Sequence, residues 1–439
     1  MSLLETAKAA VKLAKDKGAT EASASAYRDR DVELEWREGR VEKVSEATTR
    51  GVSLALYVEG RYSSMSTSDL RPEALASFVE ESIALTRTLA VDPYRALPDP
   101  KLYEGRSTKD LELWDAQHAS VTPEGRLKRA KALEDAARSH DKGGAIVSVT
   151  TSVWDSESMG ARVTSNGFEG ERRSTSFWMS AGVTVKDPDG RRPYGGASRG
   201  ARMHAELMGE EEVGKLAAQR ALGAIGSKKM ASGVVPIVVE NRVGARLVSA
   251  LLGPLSARAL QQKQSFLEGK LGKPIASKLL TITDDPLLPK GFASRLYDGE
   301  GIAAKKLAVI DQGVLKTYYV DDYYGRKLKL APTTGGSSNL LFALGKKGQD
   351  ELIKDVKDGL FVTSFLGGNS NGTTGDFSLG VQGYEIKAGQ LAGAVSEINI
   401  SGNLGELWKK LVAVGNDPYP YSSTRTPTLV FEGVQVAGA

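Results

Sequence analysis

The hydrophobic positions change period several times along the chain, and each change marks an element. Leu3, Ala7, Val11 and Ala14 recur at helical spacing behind Ser2, with Glu5 three residues on and Gly18 as a stop; this predicts an amphipathic helix opened by a capping box. From Thr20 the period falls toward two. Val32, Leu34 and Trp36 alternate with Asp31, Glu33 and Glu35 up to a Glu38-Gly39-Arg40 turn, and Val52, Leu54, Leu56 and Val58 alternate again before Glu59-Gly60. Pro72 can begin a second helix with Leu75, Phe78, Val79 and Ile83 on its apolar face. Residues 1–92 therefore read as an N-terminal αβ unit with a small antiparallel sheet.

Pro93, Pro98 and Pro100 punctuate a polar linker. Thr122-Pro123-Glu124 opens a helix running to about His140, with Leu127, Ala130, Leu133, Ala136 and Ala137 as its stripe. Strands are predicted around Ile146 to Val149 and from Phe177 to Val185, with turns at Asn166-Gly167 and Asp189-Gly190 and a closing helix near Glu211 to Ile225. Residues 93–228 thus form a linker and a middle αβ unit. Val234 to Val239 is a continuous apolar run of the kind a buried strand shows, and Asn241 is placed to cap a helix carrying Val243, Leu247 and Leu251. Short β-like runs split by glycines follow, so residues 229–439 read as a β-rich C-terminal domain and the fold class as α+β. Heptads, repeats of 20 to 50 residues and low-complexity tracts are not found.

Length agrees with this division, since 439 residues at about 150 per domain give roughly three domains. The chain has no Cys, which excludes disulfides, thiolate nucleophiles and sulfur ligands. Lys and Arg total 58 against 54 Asp and Glu, so the net charge of +4 is near balance and implies no polyanion partner. No stretch approaches 18 uninterrupted apolar residues, and residues 1–18 lack the pattern of a secretion signal. A soluble, cytoplasmic protein with no membrane partner is expected.

Catalytic templates find little. The three histidines, His118, His140 and His204, lie too far apart in sequence for a zinc-protease helix, which needs two imidazoles one turn apart, and each is expected at a surface or helix end. Gly196-Ala197-Ser198-Arg199-Gly200 has the spacing of a nucleophile elbow, but Pro188-Asp189-Gly190 and Pro193 before it point to a loop. Gly299-Glu300-Gly301 leads toward Lys305-Lys306 and a strand, not into a dinucleotide-binding helix. Asp284-Asp285, Asp298 with Glu300, and Asp321-Asp322 could bind a hard cation or simply build turns. Tyr318-Tyr319 and Tyr323-Tyr324 lack the interleaved basic stripe of a single-strand binder, so nucleic-acid binding is not expected. The most unusual segment runs from Gly367 to Ser378, where small residues would let another chain approach closely.

From Val234 onward the sequence resembles the PmbA/TldD family, once called modulators of DNA gyrase, and within it the TldE (PmbA) branch. The residues that carry this are Asp298-Gly299-Glu300-Gly301, Gly313-Val314-Leu315 with Tyr318, Gly325-Arg326-Lys327-Leu328, Thr374-Gly375-Asp376-Phe377-Ser378 with Gly383-Tyr384, Ile398-Asn399-Ile400-Ser401-Gly402-Asn403-Leu404, and Val414-Gly415-Asn416-Asp417. The resemblance implies a non-catalytic, peptide-binding subunit that pairs as a heterodimer with a TldD-like, zinc-bearing subunit to cleave or mature unfolded peptides. It places the catalytic branch's histidine motif at about Val248 to Gly253, where no ligand-capable side chain remains, and that branch's cysteine in the loop Asn369 to Gly372, where this sequence has none. No cofactor is therefore expected in this chain, and zinc is expected in the partner. Pro254, read as lying within the helix, and Pro332-Thr333-Thr334-Gly335-Gly336 depart from other TldE-like sequences. An extended peptide is expected to meet Asn371, Gly372, Thr373, Thr374, Gly375, Asp376, Phe377 and Ser378, chiefly through the amides of residues 372–375. The alternatives are a regulator of DNA gyrase or of another protein without proteolysis, and a stand-alone hydrolase in which Asp284, Asp285, Asp298 or Glu300 converge on a metal.

Overall fold

The opening capping box forms as the sequence dictates: Glu5 N donates to Ser2 Oγ and Ser2 N to Glu5 Oε2, starting helix α1 (Leu3–Asp16). The computed structural model describes residues 1–438. Strands β1 (Glu21–Arg37), β2 (Arg40–Val58) and β3 (Arg61–Thr67) follow as a meander, then α2 (Pro72–Thr86) with its proline in the first turn. The order then repeats: α3 (Pro123–Ser139), β4 (Ile146–Thr164), β5 (Glu169–Val185), β6 (Tyr194–Ala201) and α4 (Glu210–Gly223). Each half is helix, three-strand meander, helix, a repeat far longer than the solenoid periods a sequence scan tests.

The first three strands do not close a sheet of their own. β1 pairs with β4 antiparallel from Ser23↔Thr164 to Arg37↔Thr150, so the halves share one sheet in the order β3-β2-β1-β4-β5-β6. On one face Ala22, Ala24 and Ala26 pack under α1 and α2, while Leu34, Trp36 and Val153 pack under α3 and α4. The opposite face carries Ser23, Ser25, Ser156 and Arg162 and looks toward the C-terminal unit. This explains why β4 and β5 run longer than predicted: serines and glycines on the polar face interrupt the apolar alternation without interrupting the ladder. Gly196 to Gly200, expected as a loop, lies within β6, where a Cβ on Gly200 would sit 2.5 Å from Trp178.

The proline-rich stretch is not a free linker. Leu97 is buried, its N–H donates to Glu21 Oε2 (2.9 Å), and Arg326 donates to its carbonyl (2.6 Å). His118 also departs from expectation: it is buried and bonds Asp155 Oδ1 (2.8 Å), whose carboxylate accepts two bonds from Arg126. Burial works against ionisation of Asp155, but the His118 and Arg126 bonds outweigh it and hold its pKa below the usual carboxylate range. His140 ends α3 at the surface, and His204 is half-buried against the Phe177 ring.

The C-terminal unit begins with β7 (Gly233–Val239), α5 (Asn241–Leu252) and α6 (Ala257–Gln261). β8 (Ile282–Asp284), β9 (Leu307–Asp311), β10 (Val314–Leu315), α7 (Asp322–Leu328) and β11 (Leu340–Phe342) come next, and then α8 (Gln349–Asp355). β12 (Asp358–Ser370), β13 (Asp376–Lys387), β14 (Gln390–Asn403), α9 (Leu404–Lys409), β15 (Leu411–Val414), β16 (Thr424–Arg425) and β17 (Leu429–Ala437) complete it. The main sheet runs β14-β13-β12-β7-β17-β15, and an extra β14–β17 pairing closes five of these strands into a small barrel; β10-β9-β8-β11-β16 form a second sheet. The core is built from Ile237 and Val239, the α5 side chains Leu247, Val248 and Leu251, and Trp408 against Phe431. Asn241 does not cap α5. Glu240 takes that position, and Asn241 Nδ2 instead donates to the Asp417 carbonyl (2.7 Å). Among the described residues no helix is long and apolar enough to cross a membrane.

Candidate functional site

The corner where β7 turns into α5 positions the site. Gly244, Leu247, Val248 and Leu251 anchor one side of α5, which leaves Arg242, Arg246 and Ser249 on the other. β12 pairs with β7 only from Leu360↔Ile237 to Val362↔Val239, and Glu240 N then donates to Val362 O. Beyond that point, from Thr363 to Ser370, the described residues pair β12 only with β13, so one edge of the strand is open beside α5. Two arginines reach across to this edge: Arg242 donates to Thr363 O (2.7 Å) and Arg246 to Gly368 O (3.2 Å).

The start of the open edge lines a cavity of about 680 Å3 between the β5–β6 hairpin and the C-terminal unit, with Ser180, Ser198, Thr363, Ser364, Tyr384 and Tyr419 among its walls. Glu240 holds two of the arginines that line it, Arg220 and Arg242. One of its oxygens accepts from Arg220 (2.7 Å) and the other from Arg242 (3.1 Å), while Arg220 also donates to Gly196 O (3.0 Å), tying α4, α5 and β6 together. Burial lowers the Arg220 pKa, partly offset by Glu240. These residues escaped sequence reading, since single arginines on an amphipathic helix carry no motif; the i, i+4 pair Arg242 and Arg246 was the only available signal.

The Gly-rich segment is shorter as a loop than its composition suggests. Gly367 to Ser370 belong to β12 and Asp376 to Ser378 to β13, leaving a turn at 371–375. It packs against the end of α5: Phe266 N donates to Gly372 O, and a Cβ on Gly372 would lie 3.7 Å from Pro254. Pro254 itself follows α5 and is not inside it. Three of the four expected peptide-binding amides are already used, since Thr373 N and Thr374 N donate to Asn371 Oδ1 and Gly375 N donates to Asn371 O. Asp376 accepts from Asn403 Nδ2 (3.0 Å) and Thr374 Oγ1 (2.7 Å), bonds that lower its pKa. Asn371, Thr373, Thr374, Asp376 and Ser378 are exposed and Gly372 half-buried. Gly375 and Phe377 are buried; strand alternation turns Phe377 into the core, so its side chain does not face a ligand.

The acidic pairs do not converge. Asp284 accepts from Ser338 N and Tyr319 Oη, Asp298 from the amides of Glu300 and Ile302 and from Thr334 Oγ1, and Asp321 caps α7. Among the described residues no group of three or more His, Cys, Asp or Glu side chains is placed to hold a metal ion. Zinc does not fit beside the open edge: Val248 and Leu251 are buried in the core, Ser249 Oγ donates to Ala245 O, and two guanidinium groups would repel a divalent cation.

This architecture, a double meander docked on a small barrel with a strand-to-helix corner beside an open edge, is shared with the PmbA/TldA metallopeptidase domains. Residues 22–86 match PmbA/TldA metallopeptidase domain 1, residues 117–225 the central domain and residues 232–438 the C-terminal domain. The chain belongs to the PmbA/TldD family. It is 30% identical over 415 residues to metalloprotease PmbA of Escherichia coli O157:H7, covering 93% of this chain and 90% of that protein. A solved structure from Bacteroides thetaiotaomicron, described as a candidate modulator of DNA gyrase, superposes with a TM-score of 0.96 at 41% identity, covering 99% of this chain and 98% of that one. TldE from Thermococcus kodakarensis shares the fold, with a TM-score of 0.87 at 20% identity over 99% of this chain and 100% of that one.

Proposed function

We propose that this chain is the non-catalytic, peptide-binding subunit of a two-chain zinc metalloprotease whose TldD-like partner supplies the metal. The observation that carries the reading is the α5–β12 face: an open strand edge lies beside a helix that offers arginine and serine where a peptidase would need imidazole and carboxylate. An extended peptide can add to such an edge by main-chain hydrogen bonds, with no demand on its sequence. The edge from Thr363 to Ser370 is the contact surface, and Asn371–Ser378 form the wall at its end. Arg242 and Arg246 satisfy edge carbonyls that a peptide amide would otherwise take; peptide entry exchanges these bonds.

The test is peptide cleavage by this chain alone, by a TldD-like chain alone and by the two together, with sizing of the mixture. Turnover and a two-chain species only in the mixture support the reading. Appreciable cleavage by this chain alone, free of any partner, overturns it. A second reading, a regulator acting on DNA gyrase, draws on the description of the Bacteroides relative. Recovery of gyrase on this chain from cells lacking a TldD-like protein would favour it.

A further inference from the structure

The polar face of the shared sheet holds a second, smaller cavity, away from the α5–β12 edge and independent of the reading above. It has a volume of about 200 Å3 and lies between β1, β2 and β3 on one side and the Gly299-Glu300 turn and Tyr323 on the other. Two opposite charges line it without meeting. Arg162, on β4, donates from Nη1 to Ser25 Oγ (3.1 Å), and its Nε is shut off from solvent with no hydrogen-bond partner. Among the described residues Glu300 Oε2 accepts only from the Asp322 amide (2.9 Å). Among the described residues neither group belongs to an ion pair within 4.0 Å, although Arg162 lies in the field of Glu300. A second guanidinium stands at the mouth, where Arg95 lies 3.5 Å from the Tyr323 ring centroid and 4.3 Å from that of Tyr62.

Burying a charge is costly unless it is paired, and a protein that brings two opposite charges to one cavity yet holds them apart leaves room for something that pairs with both. The space exceeds a single bridging water, whose share is about 30 Å3, and falls below the range of larger organic ligands. We infer that this cavity binds a small zwitterion, a free α-amino acid, with its carboxylate on Arg162 and its ammonium group on Glu300. The serine hydroxyls around it supply further hydrogen bonds, and the ligand would clamp the first sheet to the C-terminal unit.

Isothermal titration of the full chain with glycine, L-alanine, L-leucine and L-glutamate tests this, with propionate and methylammonium as half-ligands. At least one amino acid is expected to bind saturably with Kd on the order of 1 mM or tighter, and propionate at least tenfold more weakly. Binding is expected to be lost in E300Q, which keeps an acceptor for the Asp322 amide, and in A55L, which fills the cavity while leaving both charges in place. The inference is overturned if none of the four amino acids binds, if propionate matches alanine, or if binding survives in both variants.

Discussion

Strand β4 carries a charged side chain on each of its faces, Asp155 buried and Arg162 partly buried, and the two have opposite surroundings. Asp155 points toward α3 and is fully engaged, with Arg126 donating from Nε and Nη2 (2.6 and 2.9 Å) and His118 at 2.8 Å. Arg162, seven residues on and facing the C-terminal unit, has one serine and, among the described residues, no counter-ion. A satisfied network fixes the docking of a helix and has nothing left to offer a ligand. An unsatisfied charge in a cavity stabilises nothing by itself and is available for recognition. The same contrast separates the turn at 371–375, which spends most of its amides on itself, from the neighbouring edge of β12, which does not pair beyond Val362.

The comparison can be broken at its strongest point first. Asp155→Ala leaves Arg126 buried without its partner, so unfolding by denaturant is expected to show a loss of about 3–5 kcal/mol. A loss below about 1 kcal/mol would mean that this network is not structural. Glu300 should respond in the opposite direction. Burial, aided by the nearby aspartates and only partly offset by the Asp322 amide, raises its pKa from 4.5 to about 7. A raised folded-state pKa favours stability at low pH, and that contribution fades as pH rises from about 4.5 through 7. E300Q should therefore stabilise the chain by about 1–3 kcal/mol at pH 8 and by little near pH 4. A pH-independent difference between the two proteins would show that Glu300 titrates normally.

Arg162→Met tests the other half of the cavity. Replacing an unpaired, partly buried guanidinium by an apolar chain is expected to leave stability unchanged or raise it by up to about 2 kcal/mol, measured by thermal unfolding without added amino acid. A marked loss would place Arg162 in the structural class with Asp155. The smallest stability effect is expected at the open edge: R246A, removing one exposed bond to a backbone carbonyl, should change stability by less than about 1 kcal/mol. Its effect should appear instead as altered peptide cleavage by the two-chain mixture, and unchanged cleavage with the variant would remove Arg246 from the peptide-binding face.

The sequence by itself determined the local elements. Ser2 with Glu5, Pro72 and Thr122-Pro123 start helices where they stand because capping and proline geometry are decided within one turn. The Val234 to Val239 run and the period of α5 likewise fix a buried strand and its helix. Long-range pairing was not legible. That β1 joins β4 rather than ending a small sheet, that His118 finds Asp155, and that Glu300 comes to face Arg162 are contacts between residues tens to more than a hundred positions apart, with no periodicity to announce them. Asn241 shows the limit within one turn of chain: its type suits a cap, but the competing partner, Asp417, arrives only through the tertiary fold. Local propensity acts through nearest neighbours along the chain, whereas the partner of a buried polar group is set by which surfaces the packed core brings together.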